Sequence, residues 1–278
     1  MRLPLLDIRT WRTDPRRFAD ALRHACHKIG FFQLRHDLPP AVPAKLLLTA
    51  RDFFALPDAE KRAICYSHSP AFRGYMACGM ENTSGTTDLR EQIELARDGP
   101  RAPARAMPPH ERLRGPNQWP ARVPAMRPAV DEYVGHMLGL CDELSEALCV
   151  SLDLKPGALR PLLQPAPHWQ LKLAGYSPTV PAPAAGSAGS EPRRAPTATE
   201  DDCESREGSS SREGSDGSLR EDGSEVDPLS LGCGAHTDSG FLTLVLQDGS
   251  SGLQAWSRGE WVDVPPAGPD VLVCNLGV

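Results

Sequence analysis

Hydrophobic residues recur at helical spacing through much of the first 150 residues. Asp14 and Pro15 form a good helix start, because an acidic N-cap is followed by proline in the first turn, and Gly30 closes that helix. A second helix is predicted to stop near Pro57, since the residue before a proline disfavours helical conformation. A long helix is predicted over 126–150, where apolar residues line one face.

Strand patterns dominate after residue 165, where apolar and polar residues alternate. They predict strands over 168–176 and 270–275 and a hairpin over 253–264. The run 241–246 is continuously apolar, so we expect a strand buried on both faces. The Gly-rich stretch 72–97 shows neither period and is predicted to be loop. Helices followed by antiparallel strands indicate an α+β chain whose β part is a sandwich or a jelly roll.

The composition is that of an ordinary globular protein, with 40% apolar and 24% charged residues. No run of about 18 apolar residues exists, so we expect no membrane span. The N-terminal residues lack the apolar core of a signal peptide, so we expect a cytoplasmic location. The eight cysteines include no Cys-x-x-Cys pair, which argues against a structural zinc cluster.

The segment 179–232 differs from the rest of the chain. It holds twelve acidic residues and five arginines, has no aromatic residue and is rich in Gly, Ser, Pro and Ala. Such a segment cannot bury enough apolar area to offset the entropy of ordering it, so we predict a disordered acidic insert. It more than accounts for the formal charge of −6. Without a basic stripe elsewhere, the chain is not expected to bind nucleic acid.

The sharpest chemical feature is the triplet His236-Thr237-Asp238, just before the predicted strand 241–246. At a strand end, residues two apart point the same way, so an imidazole and a carboxylate can converge on one ion. One His and one carboxylate are two thirds of the facial triad that holds non-haem Fe(II). Taken alone, a His-x-Asp triplet arises often by chance and favours an ordinary structural role.

The segments around this triplet resemble those of a known family. The stretch Gly234–Asp248 is similar to the iron-binding segment of the 2-oxoglutarate/Fe(II)-dependent dioxygenases, in their isopenicillin N synthase-like branch. Further similar segments are Ala25–Gln33, Phe53–Pro57, Phe72–Tyr75, Gly115–Pro120, Gly252–Gln254, Gly259–Pro266 and Val273–Gly277. These separated motifs stand in the order that the family has, and the resemblance extends over nearly the whole chain outside 179–232.

The resemblance implies a dioxygenase N-terminal region over 1–125 and a double-stranded β-helix, or jelly-roll, domain over 126–278. It implies Fe(II) and 2-oxoglutarate as cofactors, with a small-molecule substrate and O2 as reactants and succinate and CO2 as products. His236 and Asp238 would be the metal ligands, with no further catalytic residue. Tyr176 would line the cosubstrate or substrate pocket, although a strand tyrosine with a satisfied hydroxyl is an equally good interpretation. We expect a monomer.

The chain also departs from the family pattern. Relatives continue past the Asn-x-Gly motif to a distal His ligand and to an Arg-x-Ser that grips 2-oxoglutarate. No His follows Asp238, and Arg258, the one Arg there, has no Ser two places on. We therefore expect a C-terminally truncated chain, with an incomplete jelly roll that lacks the third iron ligand and the 2-oxoglutarate clamp. Among the other histidines, only His168 is predicted to lie near the β core.

Three functions stay open at this point. The first is an Fe(II)- and 2-oxoglutarate-dependent oxygenase that acts on a small molecule. The second is a truncated, catalytically inactive isoform or binding protein that acts through the acidic insert. The third is an oxidase of the same family that does without 2-oxoglutarate, since some relatives oxidise the substrate directly or use ascorbate. The identity of the substrate is not readable from the sequence.

Overall fold

The structure, a computed structural model, describes residues 2–99, 113–163, 167–176 and 232–277. The predicted insert lies outside these residues, except for Gly232. The chain divides into two units, and the predicted division at residue 125 stays a prediction. Unit 1 comprises Met1–Asp52, Val123–His168 and Thr237–Val278, and unit 2 comprises Phe53–Arg122 and Trp169–His236.

The described residues contain helices in the first half and strands in both halves. The helices are α1 (Ile8–Thr13), α2 (Pro15–Lys28), α3 (Ala41–Phe54), α4 (Asp58–Arg62) and α5 (Met126–Ser151), with 3-10 turns at Tyr66–His68 and Arg160–Leu162. The strands are β1 (Leu5–Asp7), β2 (Phe31–Arg35), β3 (Gly74–Met76), β4 (Asn82–Thr83), β5 (Thr86–Thr87), β6 (Arg90–Ala96), β7 (Gln170–Tyr176), β8 (Thr243–Leu246), β9 (Gln254–Ser257), β10 (Glu260–Asp263) and β11 (Val271–Asn275). In the described ranges, no helix has the length and apolar composition that a membrane crossing requires.

Helices α2 and α5 of unit 1 form where the hydrophobic period predicts them. The carboxylate of Asp14 accepts a hydrogen bond from the Arg17 N–H and so caps α2. Gly30 ends the helix with a φ of +88°, a conformation that glycine adopts without steric cost. Phe18 and Leu22 are buried, and α2 contacts α5. The periodic apolar positions of α2 therefore lie in the core of unit 1.

The main sheet of unit 1 has the strand order β1-β2-β11-β8. Strand β1 runs parallel to β2, and the other pairs are antiparallel. All five residues of β11 are buried, and Leu272 lies opposite Leu34 on one side and Leu246 on the other. Strands β9 and β10 form the predicted hairpin. The predicted strand 270–275 is therefore a central strand of this sheet.

The expectation of a strand over 241–246 that is buried on both faces is wrong in two respects. The strand β8 begins only at Thr243, and all four of its residues are half-buried. Phe241 precedes the strand and is 43% exposed. Among the described strands β8 pairs only with β11, so it lies at the edge of the sheet and is less covered than a central strand.

Unit 2 contains an antiparallel sheet of order β3-β6-β7, together with the β4–β5 hairpin. The prediction that 72–97 is loop is therefore wrong, because four strands lie in that stretch. The central strand β6 carries paired charged side chains: the buried Glu94 lies 3.3 Å from Arg73, and the half-buried Glu91 lies 2.7 Å from the buried Lys61. Because buried positions are ordinarily apolar, a strand that carries such charged pairs does not show the hydrophobic pattern by which strands are predicted.

We expect the Gly74→Ala substitution to destabilise the protein by about 2 kcal/mol or more. Gly74 has a φ of +122°, and an added Cβ would lie 2.1 Å from the carbonyl oxygen of Ile64. That oxygen accepts a hydrogen bond from the Tyr75 N–H at 2.8 Å, so it cannot move away freely. The control is Gly85→Ala, where φ is +87° but nothing lies within 4 Å of an added Cβ. Equal losses in denaturant unfolding would contradict the steric argument.

We also expect one histidine to make the protein less stable in mild acid. Burial lowers the pKa of His36, although Asp270 and the Pro269 carbonyl oppose this shift. Its Nδ1 accepts from the Leu38 N–H at 3.3 Å, as a neutral ring can. The unfolded chain therefore takes up a proton near pH 6.5 that the folded protein resists, and stability falls as the pH drops through that value.

The measurement is the free energy of unfolding in urea between pH 7.5 and pH 5. The His36→Gln variant is expected to show a flatter pH dependence than the wild-type protein. The control is the same substitution at the exposed His24, which should leave the pH dependence unchanged. A wild-type slope that survives in His36→Gln would assign the acid sensitivity to other groups.

Candidate metal centre

The His236 ring is oriented by the main chain of its own segment. Residues 234–239 are irregular rather than the end of a strand, so the predicted alternation does not set the direction of this side chain. Nδ1 lies 2.9 Å from the carbonyl oxygen of Gly234. A carbonyl only accepts, so Nδ1 carries the proton and Nε2 holds the lone pair. Metal-binding histidines have this arrangement, in which one ring nitrogen donates and the other coordinates.

The β4–β5 hairpin of unit 2 holds the segment that carries His236. The Ser84 hydroxyl donates to the carbonyl oxygen of Ala235 at 3.0 Å. An added Cβ on Gly234 would lie 2.9 Å from the carbonyl oxygen of Thr83, so the two backbones meet at a distance that only glycine allows. The hairpin and the His236 segment are therefore in direct backbone contact.

Asp88 joins the hairpin to the His236 segment and is 1% exposed. Its Oδ1 accepts from the Gly234 N–H at 3.3 Å, and its Oδ2 accepts from the Thr83 hydroxyl at 2.9 Å. Arg90 lies 3.2 Å from the same carboxylate. Gly234 thus links Asp88 to His236: its N–H donates to Asp88, and its carbonyl oxygen accepts from the His236 ring. Sequence reasoning missed Asp88, because it lies in the stretch assigned to loop.

Asp238 is oriented by the end of strand β11 in unit 1. The side-chain amide of the buried Asn275 donates to Oδ2 of Asp238 at 3.0 Å. An added Cβ on Gly277 would lie 2.1 Å from the carbonyl oxygen of Gly240 and 2.7 Å from that of Asp238. The Asn-x-Gly motif therefore has a physical role: its amide fixes the carboxylate, and its glycine permits the close approach of the two chain segments.

His236 and Asp238 supply two donors of the kinds that Fe(II) accepts, an imidazole and a carboxylate. Each is held by a hydrogen bond from outside the donor set, as metal ligands commonly are. Within the part of the chain that the structure describes, no three His, Cys, Asp or Glu side chains form a group that could hold a metal. His168 therefore does not complete such a group there. His236 and Asp238 are therefore chemically suited to be two of the three protein ligands that the resemblance implies.

Tyr176 is the last residue of β7 and lies opposite Arg90 of β6. Its side chain lies beside Arg90, and it is 57% exposed. An added Cβ on Gly232 would lie 2.5 Å from the Tyr176 ring, so this glycine packs against the ring. The position beside Arg90 agrees with a strand tyrosine whose hydroxyl has a polar neighbour. A role in binding the cosubstrate or substrate stays a prediction.

A cleft of about 370 Å³ opens in unit 2 beside His236. Its described lining consists of residues 81–84, Arg90, Lys172 and His236. The β4–β5 hairpin that holds the His236 segment therefore also forms part of the cleft wall. The volume lies at the small end of the range of ligand pockets.

Two family models match the chain. The model of the non-haem dioxygenase N-terminal region, named for morphine synthesis, matches residues 3–122, and the model of the 2OG-Fe(II) oxygenase superfamily matches residues 219–278. The 2-oxoglutarate-dependent dioxygenase citB of Monascus ruber is 31% identical over 294 residues, which cover 99% of this chain and 74% of that protein. The homoarginine-6-hydroxylase 2-ODD-C23 of Glycine max is 28% identical over 259 residues, which cover 92% of this chain and 66% of that protein.

Solved structures show the same fold. A 2OG-Fe(II) oxygenase family protein from Caulobacter crescentus superposes with a TM-score of 0.68 at 24% identity, over 99% of this chain and 74% of the other. A full-length Neurospora crassa protein in complex with alpha-KG has a TM-score of 0.66 at 21% identity, over 99% of this chain and 73% of the other. These likenesses confirm the predicted α+β class with a jelly-roll core.

The chain belongs to the 2OG-Fe(II) oxygenase superfamily, as its motifs predict. Members of this family are enzymes that use Fe(II) and 2-oxoglutarate. The chain spans 58% to 66% of the length of the first three curated relatives it matches.

We expect Asp88→Asn to weaken metal binding about tenfold without touching a ligand atom. The substitution removes the charge that pairs with Arg90 and weakens the acceptor for the Gly234 N–H, so the His236 segment is held less firmly. The measurement is a calorimetric titration with Co(II). Asp98→Asn is the matched control, because the Asp98 carboxylate also accepts a backbone N–H, from Asn117 at 2.8 Å. Identical Co(II) affinities in the two variants would remove Asp88 from the metal site.

Proposed function

We propose that the protein is a non-haem Fe(II)- and 2-oxoglutarate-dependent oxygenase that oxidises a small-molecule substrate with O2 and releases succinate and CO2. The observation that carries this proposal is the orientation of the His-x-Asp pair within the superfamily match. His236 presents Nε2 because its Nδ1–H is bonded to Gly234, and Asp238 is fixed by Asn275. An accidental His-x-Asp triplet would not require both side chains to be braced in this way.

Four residues of the site have separate roles in this proposal. His236 and Asp238 bind the metal, and Asn275 keeps the Asp238 carboxylate from turning. When bound, Fe(II) and 2-oxoglutarate supply the power to oxidise a C–H bond of the substrate with O2. Tyr176 lines the cosubstrate or substrate pocket and places its hydroxyl beside Arg90. The acidic balance of the chain supports action without nucleic acid. A cytoplasmic location and a monomeric state stay predictions.

A basic amino acid is one candidate substrate, because curated relatives from Glycine max and Arabidopsis thaliana are homoarginine-6-hydroxylases. A second candidate function is that of a non-catalytic binding protein of the same fold. It is favoured by the finding that, over the described residues, no three-ligand metal group is present. An oxidase that does without 2-oxoglutarate is the remaining alternative from the sequence.

We expect His236→Ala and Asp238→Ala to abolish both iron binding and the formation of succinate from 2-oxoglutarate. Each substitution removes one of the two donors that His236 and Asp238 supply, and iron affinity depends on the number of donor groups that the protein presents. The measurements are iron content and succinate release in the protein as its own cells make it. The control is His136→Ala, which alters an exposed histidine of α5 and should leave both quantities unchanged.

Each result separates the three functions. Iron binding and succinate release that survive in both variants would refute the ligand assignment. Iron-dependent oxidation without succinate would favour the oxidase that does without 2-oxoglutarate. A folded wild-type protein with neither iron nor turnover would favour the binding protein.

A further inference from the structure

Every described residue that lines the unit 2 cleft is polar. Residues 81–84 are Glu, Asn, Thr and Ser, and the remaining wall consists of Arg90, Lys172 and His236. Burying an apolar molecule here would desolvate charged groups without giving them new partners, which is costly. The lining therefore favours a hydrophilic ligand.

Two cations and one anion of this wall lie within reach of one another. Glu81 is 3.0 Å from Arg90 and 3.6 Å from Lys172. Lys172 is also 3.9 Å from Glu94, and its side chain is 42% exposed. The ammonium group is thus loosely held at the mouth of the cleft and can exchange one carboxylate partner for another at little cost.

The guanidinium group of Arg90 is only partly used by the protein. Its contacts with the carboxylates of Glu81 and Asp88 both run through the same Nη2 atom. Its Nε–H is buried without an acceptor among the described residues, and the Tyr176 side chain lies beside the guanidinium group. Neither carboxylate forms the two-pronged contact in which arginine binds a carboxylate most strongly. Arg90 therefore retains capacity to bind a further anion.

The charges behind the cleft balance. Glu94 also pairs with the buried Arg73 at 3.3 Å, so three acidic and three basic side chains form one connected network. Its members are Glu81, Asp88, Glu94, Arg73, Arg90 and Lys172. A ligand with charge of one sign only would pair with just one half of such a network, whereas a ligand that carries charges of both signs can be paired on both sides.

We propose that this cleft receives the substrate and selects a small molecule of the amino acid type, with one carboxylate and at least one cationic nitrogen. Arg90 and Lys172 bind the carboxylate, and Glu81, released from them, binds the cationic nitrogen. The inference rests on the proposed function, because it places the substrate beside His236. It assigns three specificity-determining residues that touch the substrate and leave the metal alone.

The test is calorimetric binding of four probes to the metal-free protein. L-homoarginine and L-norleucine carry both kinds of charge, hexanoate carries only the carboxylate, and hexylamine carries only the ammonium group. At least one of the two amino acids is expected to bind about tenfold or more tightly than hexanoate and hexylamine, since a charged hydrogen bond contributes roughly 1.5–3 kcal/mol. Binding of neither amino acid, or equal binding of hexanoate, overturns the proposal.

Two single substitutions in the cleft wall test where the amino acid binds. Lys172→Met and Glu81→Gln alter partly exposed side chains, so both proteins are expected to fold, and each should weaken amino acid binding about tenfold. Only Lys172→Met should also weaken the residual binding of hexanoate. The control Lys155→Met makes the same change at an exposed lysine outside the cleft. If Lys155→Met and Lys172→Met bind the amino acid equally well, the cleft is not the binding site.

The proposed function and this inference fail in different ways. Amino acid binding that depends on Lys172 and Glu81, without any formation of succinate, would support the cleft as the amino acid site and refute the proposed oxygenase activity. Succinate formation with a substrate whose KM is the same in the wild-type protein and in Lys172→Met would support the oxygenase activity and refute the cleft as the substrate site.

Discussion

Charge pairing along strand β6 is the interaction that ties together the polar part of unit 2. Glu91, Glu94 and Arg90 of this strand each meet an oppositely charged partner, and the buried Glu94 could not stay charged in the interior without Arg73. Replacing such pairs by apolar residues often costs little stability, so stability alone does not explain them. Arg90 and Glu94 lie on one face of β6 together with the cross-strand Lys172, and the polar wall of the cleft is formed on that face, whereas Glu91 lies on the opposite face.

The sequence predicted the elements whose burial is apolar and regular. Helices α2 and α5, strand β7, the β9–β10 hairpin and strand β11 all appear where the hydrophobic period places them. The period failed over 72–97 because β6 buries a glutamate and a glutamine, which a hydrophobic pattern counts as exposed. It also overstated the burial of β8, since an apolar run gives no information about which strand lies at the edge of a sheet.

The sequence predicted the residues of the candidate metal site but not the groups that orient them. A short motif identified His236 and Asp238, because both ligand types stand together in the chain. The groups that orient them come from elsewhere: Asp88 is 146 residues from Gly234, and Asn275 is 37 residues from Asp238. No local pattern marks such pairs, since they meet only through the folding of each unit. Orientation, rather than ligand identity, is therefore what the structure adds.

The β4–β5 hairpin takes part in two structures at once. Thr83 and Ser84 contact the backbone of Gly234 and Ala235, and the same two residues line the cleft. A molecule that binds the cleft and stiffens this hairpin must also stiffen the segment that carries His236. Binding in the cleft and binding at His236 are then linked equilibria. If a ligand in the cleft raises the affinity of His236 for its ligand by some factor, the ligand at His236 raises the affinity of the cleft by the same factor. The total free energy of binding the two ligands is then the same whichever ligand binds first, so only the rates of the two steps decide the order.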